Sequence, residues 1–150
     1  RIAKISEGNL NRAMTYALGG TNEYEPLLRE WFSTSIRLAN PQFASEASVK
    51  IQDLSDNFAQ LGRENQKAFL QYALWFLREV LQLNQGISSE KLDEKERNFA
   101  LGMNKVLNPE KIFRLQKTLS DFHYYIERNA HPKISFYSTS FLFYRIFTAR

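Results

Sequence analysis

From Glu64 to Leu83 the chain carries apolar side chains around most of a helical circumference. Phe69, Leu70, Tyr72, Ala73, Leu74, Phe76, Leu77, Val80, Leu81 and Leu83 leave only a narrow polar stripe of Glu64, Lys67, Gln71, Arg78 and Gln82. A helix apolar nearly all round is covered on most of its sides. This segment therefore predicts the central member of an all-α bundle. Trp75 interrupts the polar stripe between Gln71 and Arg78. Its ring either lies partly exposed across neighbouring stems or contacts another protein, since tryptophan is enriched at the cores of interfaces. We expect the second role.

The remaining segments supply the neighbours of that helix. Leu28, Trp31, Phe32 and Leu38 recur at helical spacing after Pro26, a residue suited to a first helical position, and Asn40-Pro41 stops the run. Phe43, Ala47, Ile51, Leu54, Phe58 and Leu61 form a second stripe that ends at Gly62. Ser88 or Ser89 can cap a helix reaching Leu107, with Leu92, Phe99, Met103 and Val106 inward and the charged block Glu90 to Arg97 as a solvated face. Asn108-Pro109-Glu110 combines a cap, a first-turn proline and an acid near the positive end of the dipole. The stripe behind it is Ile112, Leu115, Leu119, Phe122 and Ile126, with His123 beside it as a packed edge residue.

Lys133 to Thr148 is rich enough in aromatics for a strand. Strict alternation fails there, because Ser138, Thr139 and Ser140 fall together and Phe141 to Tyr144 run unbroken. A helix is expected, with Phe136, Phe143 and Phe147 on one side and Tyr137, Phe141 and Tyr144 spread over another. One neighbour cannot hide that much apolar area, so this helix is either central or shared with another subunit. The fold class expected is all-α, a bundle of about five to six helices. Gly19-Gly20-Thr21-Asn22 is the most linker-like stretch. It divides residues 1–18 from a helical domain over 25–150, with 19–24 as the linker. Because the sequence starts at Arg1 in mid-pattern, we expect a piece of a longer protein.

A self-contained active site is not expected. The 150 residues contain no cysteine and two histidines, with no Gly-rich phosphate loop and no acid–histidine cluster at metal-ligand spacing. No catalytic residue, cofactor or metal ligand is assigned. No apolar run reaches a membrane span, and no signal peptide pattern is present. The 20 Lys/Arg against 16 Asp/Glu give a net charge of +4 that is spread along the chain, closer to a mildly basic solvated surface than to a phosphate-tracking face.

Two short motifs carry a resemblance. Glu7-Gly8-Asn9-Leu10-Asn11-Arg12-Ala13-Met14 is similar to the glycine turn and helix start in the lid of AAA+ ATPases of the clamp-loader group. In that family an arginine three residues after the glycine reaches the nucleotide phosphates. Here that position is Asn11, and Arg12 points about 100° away around the helix. Asn129-Ala130-His131-Pro132-Lys133-Ile134 resembles the Asn-Ala-Asn-Pro-basic-aliphatic junction before the last helix of bacterial clamp-loader subunits, with His131 in place of an asparagine. Glu64 to Glu79 resembles the long collar helix of the delta-prime type.

The resemblance covers the whole chain. It implies the end of an AAA+ lid over residues 1–18 and a collar domain behind it, from the DNA polymerase III clamp loader of bacteria. The collar joins five subunits into a ring that loads the sliding clamp onto primed DNA. Missing its arginine at Asn11, the chain is closer to the delta-prime type, which is expected not to hydrolyse ATP, than to the ATPase gamma/tau type. The partners implied are the gamma/tau and delta subunits, with the clamp and primed DNA reached only through the full complex, in the cytoplasm. Trp75, Tyr137, Phe141 and Tyr144 are the expected partner-facing residues. Asn129 and Pro132 are expected to cap the last helix and set its angle. A stand-alone helical nucleic-acid-binding domain is the remaining alternative.

Overall fold

The computed structural model describes residues 23–149. They form six helices and no strand: α1 (Tyr24–Arg37), α2 (Ala44–Gln60), α3 (Arg63–Asn84), α4 (Glu94–Met103), α5 (Pro109–Glu127) and α6 (Pro132–Thr148). The fold is the expected all-α bundle. Asn11 and the lid segment over 1–18 lie outside the described residues. Tyr24, assigned to the linker, instead opens α1 and is buried in the core.

The chain is punctuated as its turn residues require. Gly62 adopts a φ of 81° between α2 and α3, a left-handed conformation that favours glycine. Gly86 repeats it behind α3, where the amides of Gly86 and Ile87 donate to the carbonyls of Leu83 and Gln82. Asn108 accepts from the Lys111 amide at 2.8 Å and Pro109 follows it, so α5 starts where its cap lies.

The helix α4 begins later than the serines suggested. Its cap is Asp93, whose carboxylate accepts from the Glu96 amide at 2.7 Å while Glu96 Oε1 accepts from the Asp93 amide at 2.9 Å. This reciprocal box outcompetes a lone serine cap. Ser89 is buried in the preceding loop, where its hydroxyl donates to Glu79 Oε1 and its carbonyl accepts from Arg97 at 2.6 Å. The charged block is accordingly not a uniform solvated face. Glu96 is 0% exposed and its second oxygen accepts from the Tyr72 hydroxyl at 2.8 Å.

α3 packs chiefly against α5, and α4 lies on α3. α6 packs against α1, α2 and α5, three neighbours rather than one. Their meeting point is Trp31, whose ring stacks on Phe136 at 4.3 Å and lies 4.6 Å from Phe143, 5.9 Å from Phe69 and 6.1 Å from Phe122. A second stack joins Phe76 to Phe99 at 4.4 Å, pinning α4 to α3. Removing one such buried ring costs roughly 3–5 kcal/mol, so this aromatic lattice dominates cohesion of the bundle.

Candidate functional site

The junction between α5 and α6 is built from the residues that resemble the family motif, but their duties divide differently from expectation. Asn129 does not cap α6. It adopts a φ of 66° and closes α5, its own amide donating to the Ile126 carbonyl at 3.1 Å and the Ala130 amide to the Tyr125 carbonyl at 2.9 Å. Asparagine tolerates this left-handed position better than most residues with a side chain. The cap of α6 is His131, whose Nδ1 accepts from the Ile134 amide at 3.4 Å. Pro132 then occupies the first turn of α6, as its fixed φ suits.

Arg63, the first residue of α3, ties this junction down. Its guanidinium donates to Asn129 Oδ1 and, at 3.3 Å, to the Glu127 carbonyl. A cation at the negative end of α5 is also favoured by the dipole. Arg63 thereby fixes the turn that leads into α6.

What that direction presents is an aromatic, partly uncovered face. Phe136, Ser140, Phe143 and Ile146 point inward and are buried. Tyr137 is half-buried and stacks on Phe141 with ring centres 5.8 Å apart and planes 20° apart. Phe141 is 48% exposed and Ile134 is 63% exposed. Tyr144 is half-buried one turn further on. The expected Tyr137, Phe141 and Tyr144 thus share the outer part of one helix.

Beside them runs a groove of about 610 Å³ between α2 and α6, with Gln52, Ser55 and Asp56 on the α2 wall and Ile134, Tyr137 and Phe141 on the other. Lys133 Nζ bridges it to Asp56 at 2.7 Å, so its charges are matched. On the other flank of α6, a groove of about 530 Å³ faces α5 and is lined by Phe113, Arg114, Lys117, Leu142 and Arg145. The sequence reading did not select Ile134, Phe113 or Leu142. The signal for each was an apolar residue off the buried stripe of its helix.

Trp75 does not belong to this face. It is 1% exposed and sits on α3, its ring 5.6 Å from that of Tyr72. The role of partner-facing residue is therefore corrected to that of a core residue. The polar stripe misled because Gln71 and Arg78, on either side, are themselves half-buried. Periodicity shows which residues share a face, not whether another element covers it.

Ionisable groups elsewhere serve the fold. His123 packs at an edge, with Nδ1 3.8 Å from Glu127 Oε1 and Nε2 buried. No cluster of three or more His, Asp or Glu able to hold a metal occurs among the described residues, and no described helix is long and apolar enough to cross a membrane. Burial pushes the Tyr24 phenol above its ordinary value, with the Glu23 carboxylate adding to the effect. A hydrogen bond from Lys117 to Asp121 holds that ammonium above its ordinary value. α6 thus presents two different surfaces, an aromatic flank toward α2 and a basic flank toward α5.

Compared with known protein families, with curated proteins and with solved structures, the chain matches none.

Proposed function

We propose that this chain is the assembly region of a bacterial clamp-loader subunit of the delta-prime type. The observation that carries the reading is the outer face of α6, where Ile134 and Phe141 stand exposed and half-buried Tyr137 joins them along the α2 groove. Apolar side chains gathered in this way mark contact surfaces. The junction over Asn129–Pro132, which resembles that of the family, is the element that aims this helix. A ring of unlike subunits needs two different faces on each member. α6 offers an aromatic and a basic flank, which suits such a position. On this reading the chain performs no chemistry; it binds gamma/tau and delta neighbours, and only the completed ring meets the sliding clamp and primed DNA. It works in the bacterial cytoplasm.

The test is light-scattering mass after mixing the chain with the collar regions of its proposed gamma/tau and delta partners. A stable hetero-complex is expected, and Tyr137→Ser with Phe141→Ser should dissolve it while preserving the thermal melt. If the chain stays monomeric beside partners verified as folded, the reading fails.

A further inference from the structure

We infer that the groove between α5 and α6 docks an acidic, amphipathic helix from a partner protein. Its lining combines three cations, Arg114, Lys117 and Arg145, with one carboxylate, Glu110. Lys117 is already held by Asp121 at 2.9 Å, whereas neither Arg114 nor Arg145 makes an ion pair among the described residues. Two uncommitted guanidinium groups therefore flank one trough. Both can take a carboxylate with two parallel hydrogen bonds.

Between them the trough is apolar. Phe113 from α5 is 57% exposed and Leu142 from α6 is 44% exposed. A ligand that satisfies both features needs apolar residues on one side and acids beside them, which is the pattern of a helix laid into a groove. The α5 wall runs from Glu110 to Thr118, a rise of about 12 Å over eight steps of about 1.5 Å each, which seats roughly two turns of a bound helix. A phosphate backbone is a poorer fit, because tracking it requires a run of cations and gains nothing from an apolar floor. This groove is the basic flank counted above as a second face of α6; it lies across the helix from Tyr137 and Phe141, so changes to those rings test the aromatic face separately.

The probe is a random peptide library displayed against the whole chain, followed by fluorescence anisotropy with the enriched peptides. Enriched sequences should carry Asp or Glu beside apolar residues spaced three and four apart. Arg114→Glu with Arg145→Glu should weaken their binding at least about tenfold and remove its salt dependence. Phe113→Ser should weaken it as well, and Tyr137→Ser with Phe141→Ser should leave it unchanged. All of these positions are exposed or half-buried, and a retained melt verifies each variant; Arg114→Gln with Arg145→Gln serves if the reversal unfolds. No enrichment, enrichment without acids, or binding indifferent to the arginine changes overturns the inference. Competition by a twenty-nucleotide oligothymidylate that the same arginine changes abolish would overturn it in favour of nucleic acid.

Discussion

The Trp31 indole donates to Ser140 Oγ at 2.7 Å, joining α1 to α6 across 109 residues of sequence. Ser140 in turn donates to the Phe136 carbonyl at 2.8 Å, and Ser35 donates to the Trp31 carbonyl at the same distance. A polar chain thus crosses the aromatic centre, and every member of it is buried. Ser140→Ala would strand the indole N–H inside. Leaving a buried donor unsatisfied costs about 1–3 kcal/mol, so the urea midpoint should fall with an unchanged m-value. A midpoint within error of the parent would mean that another acceptor replaces the serine.

Asn129 separates two effects that share one residue. Its left-handed backbone penalises alanine by about 1 kcal/mol, whereas glycine adopts it freely. Asn129→Ala should therefore destabilise clearly. Asn129→Gly, which loses only the exposed contact with Arg63, should stay within about 0.5 kcal/mol of the parent. Equal losses in chemical denaturation would assign the stabilisation to the Arg63 contact instead of the backbone.

Tyr24 makes a pH-dependent prediction with a definite sign. Its hydroxyl is buried without a hydrogen-bond partner among the described residues, and burial raises the phenol above its ordinary value. Below the unfolded value both states keep the proton, and the raised folded value costs nothing. As pH rises through that value the unfolded chain releases the proton first, so stability falls. Tyr24→Phe should flatten this alkaline loss, and at neutral pH it should be neutral or stabilising by up to about 1 kcal/mol. Urea midpoints at pH 7 and about pH 10.5 check both arms; parallel losses in parent and variant would assign the alkaline effect to other groups.

Much of the bundle was legible because its stops are local. Asn108-Pro109, Gly62 and the proline after His131 carry their own dihedral or capping requirement, so α2, α3, α5 and α6 start or end close to where those residues stand. The inward stripe of α5 also follows from spacing alone: Ile112, Leu115, Leu119, Phe122 and Ile126 are all buried. What stayed hidden depends on contacts distant in sequence. Ser88 and Ser89 looked like caps, but Ser89 is drawn to Glu79 on α3 and the cap passes to Asp93. Glu96 belongs to a charged run and still reaches the interior, because Tyr72 and the Asp93 amide satisfy its oxygens. Trp75 failed for the same reason, since a polar stripe can be covered. On α6 the aromatic surplus was visible, whereas the partition into a matched and a basic flank needed the positions of α2 and α5.

The arrangement of α6 also bears on how the chain is made. α6 is made after the other five described helices, and it supplies the rings that Trp31 stacks against and one wall against each of α1, α2 and α5. Until it emerges, the aromatic surfaces of the earlier helices have nothing to close over them, and contacts of such long sequence separation form slowly. A nascent chain halted before Pro132 would expose the apolar sides of three helices to the chaperones and proteases that patrol such surfaces. Synthesis through α6 thus acts as a proofreading step, because only a chain that includes it can shut this core and at the same time display the surface that α6 carries outward.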